Sequence, residues 1–62
     1  MSSYRCYLLD GHGVVVATED FDCSTEDEAL SMAQELVQRA HASGLELWQR
    51  PRLLHAVRPA AT

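Results

Sequence analysis

Apolar residues at Ala29, Met32, Ala33, Leu36, Val37 and Ala40 recur at intervals of three and four, the one-face spacing of a helix with about 3.6 residues per turn. Ser31, Gln34, Glu35, Gln38 and Arg39 fill the opposite face, and Leu30 lies at the edge of the stripe. The spacing predicts an amphipathic helix within Thr25 to Ser43. Thr25 followed by Glu28 forms a capping-box pattern, and Ser24 with Asp27 offers the same arrangement one residue earlier. Glu26, Asp27 and Glu28 suit the positive end of the helix dipole and Arg39 the negative end. Gly44 is the expected left-handed stop.

Two other periods flank the helix. Tyr4 to Leu9 is aromatic and apolar, and Val14 to Thr18 is almost wholly β-branched, so both read as strands. Asp10-Gly11-His12-Gly13 between them supplies a tight reversal. If Leu9 faces Val14, a constant index sum puts Leu8 opposite Val15, Tyr7 opposite Val16 and Cys6 opposite Ala17. One face then carries Tyr4, Cys6, Leu8, Val15 and Ala17, and the other Arg5, Tyr7, Leu9, Val14 and Val16. Both faces are expected to be apolar, which predicts a second covered surface beyond the one under the helix. After Gly44, Leu45 to Gln49 alternates as a third strand, with Leu45 and Leu47 on one side and Glu46 and Trp48 on the other. Arg50-Pro51-Arg52 reads as a turn and Leu53 to Val57 as a fourth strand.

These elements predict a two-layer α+β domain of order ββαββ over residues 1–58, one helix packed on a small antiparallel sheet, with a loose tail at 59–62. Strand order stays open, because either the first or the second strand could neighbour the third. Sixty-two residues stand near the lower limit for a self-sufficient core, which gives a partner surface added weight.

Charge narrows the function. Nine acids against five bases give a net charge of −4, every base is arginine, and a general polyanion binder is disfavoured. Through Ser31 there is one base against seven acids, a balance of −6; from Met32 onward four bases against two acids give +2. Glu19 to Glu28 holds six carboxylates and no base. It lacks the ligand spacing and turn glycine of an EF-hand, so it reads as a solvated connection rather than a calcium site. The first residues do not resemble an export signal, and no apolar run approaches the length of a membrane helix, so a cytoplasmic protein with reduced Cys6 and Cys23 is expected. His12, His41 and His55 share no close spacing with either cysteine, so no metal or other cofactor is expected.

The run Tyr4-Arg5-Cys6-Tyr7-Leu8-Leu9-Asp10 with Gly11 and Gly13, the acidic entry to Glu28-Ala29, and Glu46-Leu47-Trp48 together resemble short single-domain proteins of unassigned function that are abundant in α-proteobacterial genomes. That resemblance spans about 50 residues and implies no activity, cofactor or catalytic residue. The order of hairpin, acidic turn, Glu-Ala helix start and strand is also similar to HicB-type antitoxins, which implies an antitoxin-like regulator.

Three functional readings result. The first is a non-enzymatic protein-interaction module, a homodimer or partner binder, using Arg5, Tyr7, Leu9, Val14, Val16 and Trp48, since aromatics and arginine anchor interfaces. The second is a nucleic-acid platform in which aromatics stack bases and Arg5, Arg50, Arg52 and Arg58 meet phosphates. The third is thiol catalysis by Cys6 with His55 or Cys23 with His41, which no spacing singles out.

Overall fold

The computed structural model describes residues 2–58; the expected tail at 59–62 lies outside the described residues. Its elements are β1 (Ser2–Leu9), β2 (Val15–Cys23), α1 (Glu26–Ala40), β3 (Gly44–Gln49) and β4 (Arg52–Val57). The ββαββ order is as expected. The four strands form one antiparallel sheet in the order β2-β1-β3-β4, so the first strand, not the second, neighbours the third.

The first hairpin closes differently from the expected register. Asp10 N donates to Val14 O at 2.9 Å and Gly13 N to Asp10 O at 3.0 Å, with Gly13 at φ 80°. This is a three-residue loop whose last residue needs a positive φ, and Gly13 provides it without a Cβ penalty. Asp10 Oδ1 reinforces the turn by accepting from His12 N at 2.8 Å and Val14 N at 3.0 Å. Val14 closes the loop opposite Asp10, so Leu9 pairs with Val15 rather than Val14. A bulge follows: Leu8 pairs with Ala17, and Val16 has no partner on β1. From there Tyr7 faces Thr18 and Cys6 faces Glu19, not Val16 and Ala17.

The shifted register carries β2 on to Cys23. Glu19, Asp20 and Asp22 therefore belong to a strand, and only Ser24 and Thr25 separate β2 from α1. The expected solvated connection is a correction on this point: alternation sends Thr18, Asp20 and Asp22 to one side and Ala17, Glu19, Phe21 and Cys23 to the other.

Thr25 caps α1, its hydroxyl accepting from Glu28 N at 3.2 Å. The helix ends at His41, which adopts the left-handed conformation at φ 53°, while Gly44 opens β3 instead of stopping the helix. Ala42 N reaches back to Val37 O at 3.0 Å, the long closing bond of a Schellman turn.

The core lies between α1 and one sheet face. Tyr4, Cys6 and Leu8 of β1, Cys23 of β2, and Leu45 and Leu47 of β3 are buried there with Ala29 and Ala33 of the helix. Two alanines at the closest approach allow dense packing of helix on sheet. Leu30, Leu36 and Val37 flank that contact half-buried, whereas Met32 and Ala40, expected in the stripe, are exposed. The buried line thus passes through Leu30 rather than Met32.

Candidate interaction surface

The helix leaves the other sheet face uncovered. Alternation places Ser3, Arg5, Tyr7 and Leu9 of β1 on it, with Glu46 and Trp48 of β3. Register sets the neighbours: Arg5 stands between Asp20 and Trp48, and Tyr7 between Thr18 and Glu46.

At its centre Tyr7 and Trp48 meet edge to face, with ring centroids 6.5 Å apart and planes at 87°. This geometry sets the positive ring edge against the negative ring face, and such pairs contribute about 0.5–1.5 kcal/mol beyond area burial. Both rings remain half-buried. The indole Nε1 donates to Glu46 Oε1 at 3.1 Å, and Arg58 Nη2 comes within 4.0 Å of Glu46 Oε2.

Toward β2 the surface is polar. Arg5 Nε donates to Asp20 Oδ1 at 2.7 Å and Nη2 to Oδ2 at 3.2 Å, a bidentate fork. Ser3 Oγ donates to Asp22 Oδ1 at 2.7 Å. The Arg5 hydrogen bonds hold the Asp20 carboxyl below the usual aspartate range, with a smaller contribution from the charge of Arg50. Asp20 and then Tyr7 in turn hold the Arg5 guanidinium above its ordinary value. Beside these pairs opens a cavity of about 470 Å³, lined by Ser3, Tyr4, Arg5, Asp20, Phe21, Asp22 and Arg50.

Of the residues expected to form the surface, Arg5, Tyr7 and Trp48 are brought together. Leu9 is not available: it is 2% exposed. Its carbonyl accepts from Ser43 N at 2.8 Å, fastening the segment after α1 to β1. Val14 and Val16 are exposed but stand at the closing pair of the hairpin loop and in the bulge, away from Tyr7, because the loop takes one residue more than a two-residue turn. The expectation of a second apolar face is therefore corrected to an aromatic pair bordered by ion pairs. Glu46 was placed beside Trp48 by the alternation of the third strand, whereas Thr18, Asp20 and Asp22 were missed as members. The alternation from Ala17 to Cys23, with polar residues at every even position and apolar ones at 17, 21 and 23, is the signal that places them.

The thiols stand elsewhere. Cys6 is fully buried, and desolvation followed by the Glu19 charge pushes it up to about 11. Burial also raises Cys23, whose Sγ lies 3.2 Å from Met32 Sδ. A nucleophilic thiol needs the opposite shift. His55 Nε2 meets Glu26 Oε2 at 3.0 Å, joining β4 to the start of the helix, and His41 caps its far end. Among the described residues, no three His, Cys, Asp or Glu side chains gather as a cation site. No helix among them is long and apolar enough to cross a membrane. Compared with known protein families, with curated proteins and with solved structures, the chain matches none.

Proposed function

We propose that this chain is a non-enzymatic protein-interaction module of the cytoplasm that docks through its uncovered sheet face, in the simplest case onto the same face of a second copy. The observation that carries this reading is the Tyr7–Trp48 pair, two half-buried aromatics in edge-to-face contact on the sheet face opposite the one helix among the described residues. Aromatics fixed at the centre of a polar rim are the usual anchors of protein interfaces, and Arg5–Asp20 and Arg58–Glu46 supply such a rim. A nucleic-acid platform gains less support, since Asp20, Asp22 and Glu46 place three carboxylates on the same face and Asp20 occupies the Arg5 fork.

Trp48 is the sole tryptophan, so its fluorescence reports the face directly. Light scattering over a dilution series in about 1 M salt, where contacts between exposed charges are screened, is expected to move between 6.9 kDa and twice that mass. Trp48 emission shifts to the red as the complex dissociates, and Tyr7→Ala abolishes both changes. A wild-type chain of constant monomer mass and constant emission up to millimolar concentration overturns the self-docking form of the proposal.

A further inference from the structure

We propose that copies of this chain also add head to tail along the sheet, the β4 edge of one against the β2 edge of the next, with charge selecting that pairing over the alternatives. In the order β2-β1-β3-β4 the two outer strands each have one side without a strand partner among the described residues. Unpaired strand edges are templates for another strand, and most proteins blunt them. Here the two edges differ in sign. β2 carries Glu19, Asp20 and Asp22 and no base. β4 begins with Arg52, is followed by Arg58, holds no acid, and exposes Leu53 and Val57 at 44% and 54%.

Three pairings are open to two copies. β2 on β2 sets carboxylates against carboxylates, and β4 on β4 sets arginines against arginines, both unfavourable. β4 on β2 sets opposite charges together. Asp20 is already neutralised by Arg5, Asp22 accepts only from the uncharged Ser3 hydroxyl and so keeps its charge, and Arg58 reaches Glu46 only at 4.0 Å, which leaves the charges of Glu19, Asp22 and Arg52 foremost for the contact. Strand direction agrees. Successive neighbours across the sheet are antiparallel, so β2 and β4 run in opposite directions within one copy. A second copy placed beside the first in the same orientation therefore presents β2 antiparallel to β4, and the alternation continues unbroken. Such a heterologous contact does not close at two copies.

This inference uses the edges and neither ring of the Tyr7–Trp48 pair, so it stands or falls separately from face docking. The test is a charge swap on the full chain. R52E/R58E makes both edges acidic, and E19K/D22K makes β2 basic beside a basic β4. Each variant alone is expected to lose edge association, while an equimolar mixture recovers it, because each then offers the other a complementary edge. Wild-type mass by sedimentation should climb past twice the monomer at low ionic strength and fall back in about 1 M salt, where screening acts within about 3 Å. Tyr7→Ala should leave this salt-sensitive climb in place. Circular dichroism checks that the swapped chains fold, and Arg52→Gln, which only removes charge, is expected to show an intermediate mass. A wild-type mass that stops at one or two copies irrespective of salt, or a mixture that stays no larger than its components, overturns the proposal.

Discussion

His41 is a residue in a glycine's conformation. At φ 53° its Cβ crowds the backbone, which costs roughly 1–2 kcal/mol relative to glycine, against about 0.5–1 kcal/mol of extra chain entropy that glycine loses on folding. His41→Gly is therefore expected to stabilise the domain by about 0.5–1 kcal/mol and to raise Tm by roughly 2–8 °C in a thermal melt. Titrating residues set the limits of the stable pH range. Backbone N–H groups, Val14 first and then His12, depress Asp10, and Arg5 depresses Asp20. A carboxyl depressed in the folded state contributes stability that is present above the unfolded-chain value near 3.8 and is lost as pH falls through the folded value. The urea midpoint should thus drop between pH 5 and lower pH, and Asp10→Asn with Asp20→Asn should flatten that drop. Cys6 acts at the other limit. Its folded value is raised, so its contribution is full below pH 9 and is lost as pH climbs toward about 11. Below pH 9 modification of Cys6 by a thiol reagent should proceed no faster than unfolding exposes it, whereas above that range the rate should climb with the loss of stability.

At the scale of elements, packing separates residues that the helical period treats alike. Leu47 is completely buried, and Leu47→Ala is expected to cost about 2–5 kcal/mol, enough to unfold so small a domain. Leu36 sits half-buried at the margin of α1, so Leu36→Ala should cost about 1–2 kcal/mol and leave a folded chain in chemical denaturation. The period of α1 was readable because one face of a 3.6-residue repeat has no strand counterpart. The identity of its most buried line was not, since Leu30 and Met32 are equally apolar and only the position of β1 and β3 beneath decides between them. In the first hairpin the reversal was legible from Gly11 and Gly13, but loop length was not. A three-residue loop and a bulge at Val16 moved the partner of Tyr7 from Val16 to Thr18. Counting valines obscured the weaker alternation from Ala17 to Cys23, and the acidic composition of that run masked a strand.

For the molecule as a whole, composition and element order were enough to give a helix over one antiparallel sheet, while strand order was a tertiary outcome that local pattern could not reach. The candidate surface was half legible. Arg5, Tyr7 and Trp48 converge because each follows strand alternation, whereas Leu9, Val14 and Val16 depended on a register that the hairpin loop altered. The polar border of the face has a consequence for its strength. Arg5–Asp20 is 32% and 63% exposed at its two side chains, so salt screens it readily, and such exposed pairs orient a docking surface more than they stabilise it.

The position of β1 between β2 and β3 also fixes an order of events. Of the four strands β1 is synthesised first yet ends up inside the sheet, and its second neighbour is not available until residues 44–49 have been synthesised. A nascent chain holding only the first hairpin and the helix leaves one side of β1 without hydrogen bonds, and the core without Leu45 and Leu47. Pairing residue 5 with residue 48 joins strands more than 40 residues apart in sequence, so that long loop closure is expected to pace folding more than the local hairpins do. Once closed, the amides of residues 5–9 of β1 and 45–48 of β3, in strands flanked on both sides, should be the last to exchange with deuterium, and those of β2 and β4 should exchange earlier.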